Sequence, residues 1–141
     1  MSTEQNKAIA RRFFEAFEAN DQAAFDELLS PDLVAHTHAS GPVNREAMLQ
    51  GISAFNAAFS ELHFTMEDLI AEEDRVATRE TVRAIHTGDF QGLSPTGKRI
   101  AISGMTVERI RDGKIVERWV NVDYMGLMQQ LGLVPPPQPN R

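Results

Sequence analysis

Asp123 stands where a Trp- and Val-rich strand hands over to a helix, in the stretch "VERWVNVDYMGLMQQLG". A carboxylate placed there can cap the helix, since Asp is among the best N-cap residues. If apolar neighbours desolvate it, it can instead carry a proton near neutral pH as a general acid or base. The other candidates for proton transfer are His36, His38, His63 and His86. The chain has no cysteine, which excludes disulfides, thiolate catalysis and Cys-bound zinc. His36 and His38, two apart on a strand, could face one side and share a metal with His86. "ASGPVN" supplies no acidic ligand at a convincing distance, so no metal is expected. His63 alternates with core residues and belongs on a polar face. His86, before the "TGDF" turn, fits either a hydrogen-bonded structural imidazole or a catalytic one.

At 141 residues, 42% hydrophobic and 24% charged, the chain suits one soluble domain. Its net charge of −6, with the basic residues scattered, argues against nucleic acid as a partner. No glycine-rich phosphate loop is present. No apolar run approaches the roughly 20 residues of a membrane span, and "MSTEQNKAIARRFF" lacks the features of an export signal. A cytoplasmic protein with no cofactor and no membrane partner is expected.

The elements that position these groups follow from period and caps. Ser2 with Gln5 reads as a capping box for a helix to about Asn20, with Ile9, Phe13, Phe14 and Phe17 recurring on it. Asp21 caps a short second helix, which Ser30-Pro31 ends. "DLVAHTHASGP" reads as a brief strand running into a Gly-Pro turn. Asn44 caps a third helix with Met48, Ile52, Phe55 and Phe59 on one stripe. Then the period becomes two: two strands meet at "EED", with Val76, Thr78, Glu80, Val82 and Ala84 alternating against a solvated row of Arg75, Arg79 and Arg83. "TGDFQGLSPTGKR" is a loop, and two further strands flank Asp112-Gly113, a strong hairpin signal. A helix ending at Gly132 closes a domain over 1–133, and 134–141 reads as a Pro-rich tail. The expected fold is α+β: a curved, mostly antiparallel sheet with three helices from the N-terminal half on its concave face and a short C-terminal helix.

Counting outward from a two-residue turn pairs Thr106 with Trp119, Gly104 with Asn121 and Ile102 with Asp123. Trp119, Asn121 and Asp123 would then share a cavity-facing side with Ile102, while Val107, Val120 and Val122 would form an outer apolar face suited to a homodimer. A one-residue slip would move the whole set to the other face. Phe13, Phe17, Phe55 and Phe59 are core residues by spacing, some of which must line any cavity.

"GKIVERWVNVDYMGLMQQLG", "HTGDFQGLSPTGKRI" and "FFEAFEANDQAAFDELLSPDLVAH", in their order, resemble the SnoaL-like polyketide cyclases of the nuclear-transport-factor-like superfamily. The resemblance runs from about Lys7 to Gly132. It implies a cone-shaped fold with a helix-lined pocket, intramolecular aldol ring closure without a cofactor, and commonly a homo-oligomer packed through the sheet. In the family pattern E-x-W-x-x-x-D, here Glu117, Trp119 and Asp123, the aspartate is the general acid/base. His36 and His86 match positions where the family often carries histidine. A histidine that family cyclases can place on the penultimate strand has no counterpart in "SGMTVERIR".

The expected function is therefore ring closure of a small polyketide-like or apolar carbonyl compound. Asp123 and His86 are the candidate catalytic residues, and His36, Trp119, Asn121, Phe13, Phe17, Phe55, Phe59 and Ile102 the candidate substrate contacts. The alternatives are isomerisation, hydration or epoxide opening on the same fold, or a non-catalytic dimeric domain that binds an apolar metabolite.

Overall fold

Helix α1 (Thr3–Ala19) opens with the expected capping box: Ser2 Oγ accepts from the Gln5 amide, and the Gln5 side chain accepts from the Ser2 amide. The computed structural model of the chain describes residues 2–37 and 41–136, so His38 and the end of the Pro-rich tail lie outside the described residues. Asp21 caps α2 (Gln22–Leu28) and Asn44 caps α3 (Arg45–Ala58), each through its side-chain oxygen to the backbone N–H three residues on. The first two helices together with α3 contribute the apolar stripes that cover one face of the sheet.

That sheet has six strands among the described residues, in the order β2-β1-β6-β5-β4-β3. They are β1 (Leu29–Thr37), β2 (Gly41–Asn44), β3 (Phe59–Glu72), β4 (Arg75–His86), β5 (Arg99–Arg111) and β6 (Lys114–Val122). The expected antiparallel run from β3 to β6 is present. The expected Gly-Pro turn is instead a short strand, β2, paired antiparallel with β1, and β1 joins the rest of the sheet by running parallel to β6. The fold is α+β with a mixed, open sheet. Among the described residues no helix is long and apolar enough to cross a membrane.

Asp112 and Gly113 both have positive φ, 51° and 78°, as a two-residue hairpin turn requires. Arg111 pairs with Lys114 and Ile110 with Ile115, but the next pair is Arg109 with Glu117. Val116 is thus an extra residue, a β-bulge, and beyond it the register differs by one from the sequence-based count. Trp119 lies opposite Val107 and Asn121 opposite Met105, rather than opposite Thr106 and Gly104.

The inner face, covered by helices, takes alternate residues: Val76 to His86 on β4, Ile100 to Ile110 on β5, and Ile115, Arg118, Val120 and Val122 on β6. Helix α4 (Tyr124–Leu131) closes the end of β5, where the Gln130 amide exchanges hydrogen bonds with the Ala101 backbone. The turn after β4 is held against α3 by the Thr87 and Gly88 amides, both donating to the Ala58 carbonyl at 3.0 and 2.9 Å. A Cβ on Gly88 would collide with the Ala57 carbonyl oxygen, which is backbone and cannot swing aside. Gly88→Ala should therefore destabilise the fold by about 1–3 kcal/mol, read as a lower urea midpoint at unchanged m-value; an unchanged midpoint would refute this packing constraint.

Candidate active site

Two apolar clusters fill the space between helices and sheet. One gathers Phe13, Phe14, Phe25, Leu28, Leu33, Met48, Ile52, Val76, Ile110 and Ile115. The other gathers Phe59, Val82, Ala84, Phe90, Ile100, Ile102, Leu127 and Leu131. Between them the inner face is polar or small: Thr78 and Glu80 on β4, Gly104, Thr106 and Glu108 on β5, and Arg118 on β6. Glu80 is 4% exposed, Glu108 0% and Arg118 5%. Charged side chains so deep in a fold require partners.

Arg118 finds three. Its Nε donates to Glu108 Oε2 at 2.8 Å, its Nη1 reaches the Met48 sulfur at 3.6 Å, and its guanidinium carbon stands 4.1 Å from the Phe13 ring centroid, a cation–π contact. Burial pushes the Glu108 carboxyl up and Arg118 opposes that push. Among the described residues Glu80 has no direct cation partner; Thr106 Oγ1 donates to its Oε1 at 2.8 Å. Burial pushes Glu80 up to about 7, with Thr106 and Arg118 pulling down and Glu108 adding to the rise. Three buried oxygens of this band have no hydrogen-bond partner among the described residues: Glu80 Oε2, Glu108 Oε1 and Thr78 Oγ1.

The inner face is not sealed. Val120 and Val122 on β6, Phe64 and Met66 on β3, Phe17 on α1 and Phe55 on α3 are each only half-buried. Of the expected substrate contacts, Phe13, Phe17, Phe55, Phe59 and Ile102 are inside, with the Phe17–Phe55 and Phe55–Phe59 rings 6.0 and 4.5 Å apart. His36, Trp119 and Asn121 are not with them. The bulge turns Trp119 and Asn121 to the outer face, which corrects the expected cavity wall, and brings Val120 and Val122 inside, which corrects the expected outer apolar patch.

On the outer face His36 stacks on Trp119 at 5.3 Å and 10°, and its Nε2 donates to Glu117 Oε2 at 2.7 Å. Arg109 donates to the other Glu117 oxygen at 2.8 Å and lies 5.4 Å from the Trp119 ring. A hollow of about 670 Å³ beside it is lined by Ile70, Asp74, Arg75, Val107, Arg109 and Arg111. These residues solvate and brace the outer face, and none of the polar band is among them.

Asp123 is exposed at the rim, one residue beyond Val122. Its amide donates to Ser103 O at 2.9 Å, and its Oδ1 accepts the Gly126 amide at 2.8 Å, making it the N-cap of α4. It therefore faces Ser103 rather than Ile102, and the desolvated setting expected from Trp119 is absent. His86 is fully buried, packed on Phe59. Its Nδ1 accepts the Thr96 amide at 3.1 Å, so the neutral ring carries its proton on Nε2, which has no partner among the described residues. Among the described residues no group of three His, Cys, Asp or Glu could hold a metal.

Sequence reasoning passed over Glu80, Glu108 and Arg118 as functional residues. The available signal was their phase: Glu80 alternates with Val76, Val82 and Ala84, and Arg118 with Val120 and Val122.

Residues 7–131 match the family model described as SnoaL-like polyketide cyclase. The chain is 32% identical over 132 residues to the aklanonic acid methyl ester cyclase DauD of Streptomyces sp. (strain C5), covering 88% of this chain and 80% of that one. It is equally identical, over 88% of each chain, to the aklanonic acid methyl ester cyclase DnrD of Streptomyces peucetius. Among solved structures, AclR, a candidate hydroxylase from Streptomyces galilaeus, superposes with a TM-score of 0.88 at 32% identity over 97% of this chain and 87% of that one. IdmH, a candidate polyketide cyclase from Streptomyces antibioticus, does so with a TM-score of 0.81 at 32% identity over 91% and 99%. The chain belongs to the SnoaL-like polyketide cyclases, an enzyme family whose fold this sheet and its helices reproduce.

Proposed function

We propose that this protein closes a ring in a small polyketide-like carbonyl compound by intramolecular aldol addition, without a cofactor, with Asp123 moving the proton. The observation that carries the reading is the position of Asp123 at the exit of the last strand, beside the half-open inner face at Val120 and Val122. Its carboxylate would take a proton from a carbon flanked by carbonyls, where such protons are already fairly acidic, and later return one to the new alkoxide. The aromatic side chains Phe17 and Phe55 would hold the folded substrate so that its two ends meet, which turns a bimolecular entropic cost into a positional one. His86 Nε2–H is a donor for a carbonyl oxygen that enters past Phe59 and Phe90. The curated relatives' names support a polyketide substrate; the AclR likeness supports the scaffold alone.

A homodimer through the outer sheet face is part of this reading. The apolar groups available there include Met105, which is 61% exposed, Ile70, 65% exposed, Val34 and half-buried Val107.

The cap geometry favours a second reading, in which Asp123 only anchors α4 and the protein binds an apolar metabolite without turnover. Asn caps helices about as well as Asp, whereas Ala forfeits about 1 kcal/mol. Asp123→Asn should therefore keep the thermal midpoint and the binding of aklanonic acid methyl ester, the compound named for the relatives, and lose cyclisation by at least about 10²-fold. Unchanged turnover in Asp123→Asn, followed by product chromatography, would leave Asp123 as a cap and sink its role as proton carrier.

A further inference from the structure

Glu80 and Glu108 share one cation, Arg118, and only Glu108 is bonded to it. With both carboxyls ionised the cluster would hold a net negative charge inside an apolar shell; one proton makes it neutral. That proton belongs on Glu80, which lacks the ion pair and which burial pushes up to about 7. A protonated carboxyl is a hydrogen-bond donor, and Glu80 Oε2 has no partner among the described residues. Gly104 makes room for it beside Val122. The missing Cβ leaves room on β5 for Glu80 Oε1 and Val122 Cγ1, each 3.0 Å from where that carbon would stand. Glu80, Gly104 and Val122 lie side by side across β4, β5 and β6, and half-buried Val122 adjoins Asp123, so the cross-strand row of Glu80 ends beside Asp123. The charged groups acting on Glu80 are Arg118 and Glu108. Helices α1 and α3 bring Phe13 and Met48 to Arg118, and Glu18 of α1 is turned to the Phe64 amide.

We propose that Glu80 is a second catalytic residue, a neutral carboxylic acid whose O–H hydrogen-bonds the substrate carbonyl oxygen that becomes the enolate. This rests on the ring-closure reading. Asp123 removes a proton from the carbon next to that carbonyl; the C–H pair becomes the enolate double bond, and the oxygen gains the charge that the Glu80 O–H stabilises. The enolate pair then forms the new C–C bond to the second carbonyl carbon. That carbonyl's π pair moves to its oxygen, which takes the proton back from Asp123. One C–H bond and one C=O π bond are exchanged for one C–C and one O–H bond, with no oxidant or reductant.

The test compares wild type, Glu80→Gln and Glu80→Ala on aklanonic acid methyl ester from pH 5.5 to 8.5. Wild-type kcat should fall above about 7 as Glu80 ionises and stops donating. The Gln amide donates at every pH, so Glu80→Gln should stay within about tenfold of wild type at low pH and lose the alkaline limb, while Glu80→Ala should lose about 10²-fold or more. Folding stability gives a check independent of turnover. A carboxyl raised in the folded state binds more protons there than when unfolded, so wild-type stability should fall as pH rises from about 4.5 to about 7, and Glu80→Gln should flatten that slope, leaving the share of Glu108, which burial also raises. An alkaline limb that survives in Glu80→Gln, or full activity in Glu80→Ala, overturns the proposal. Full activity in Asp123→Asn would instead strike at the ring-closure reading. If wild type leaves the ester untouched, 1,8-dihydroxyanthraquinone is the probe, followed by its visible absorbance. Tighter binding by wild type than by Glu80→Ala at pH 6 upholds the donor, and equal affinities refute it.

Discussion

One extra residue in the β5–β6 hairpin, Val116, decides which side chains the inside of this protein contains. Because side chains alternate along a strand, the bulge sends Arg118, Val120 and Val122 inward and Glu117, Trp119 and Asn121 outward. Arg118 then enters a space walled by phenylalanines, and an unpaired guanidinium there would be untenable. Glu108 lies directly across β5 in the same register and takes its Nε–H. The ring of Phe13 and the sulfur of Met48 complete the enclosure, so the packing of α1 and α3 is tied to the bulge as well.

The same polar band keeps the two apolar clusters apart. Val76 and Ile110 belong to one and Val82 and Ile102 to the other, on the same two strands, with Thr78, Glu80, Gly104, Thr106 and Glu108 between them. A continuous apolar row would let the helices close down on the sheet. A buried ion pair adds little net stability over hydrophobic residues of similar volume, so the reason to keep one here lies in what the band does rather than in how firmly it holds. It is rigid because every member sits on a strand whose neighbours are paired on both sides.

Local features were legible in the sequence wherever one residue type carries one physical job. Ser2, Asp21 and Asn44 cap helices as their side chains predict, Asp112-Gly113 turns the hairpin, and Gly132 ends α4 with φ 82°. What was not legible depended on contacts distant in sequence. The parallel pairing of β1 with β6 joins Val34 to Glu117, and β2 is four residues long and begins with the Gly-Pro pair that reads as a turn. The bulge has no Gly or Pro to mark it, so a count from a two-residue turn is one residue off on β6, and with it the faces of Trp119, Val120, Asn121 and Val122. The inner polar band was written in the alternation of Glu80 with Val76 and Val82, but a charge in an apolar phase reads as an interruption until its partner across the sheet is known.

Asp123 and Glu80 are the same functional group in opposite surroundings, and that difference is what an acid–base pair needs. Asp123 stands at the N-terminus of α4, where the Gly126 amide and the aligned peptide dipoles suit a carboxylate. A Cβ on Gly126 would collide with the Asp123 carboxyl, so this rotamer of the cap depends on glycine there. The cap and the proposed proton carrier are compatible roles: the helix end holds one oxygen through the Gly126 amide, and the proposal asks the other to meet a carbon acid at the rim. Glu80 has the reverse setting, buried, without a bonded cation among the described residues, and held by the Thr106 hydroxyl. In the proposed reaction the exposed carboxyl accepts a proton while the buried one donates a hydrogen bond. Under that proposal the hydrogen-bond donor near Asp123 is a carboxyl on β4 rather than a histidine on the penultimate strand.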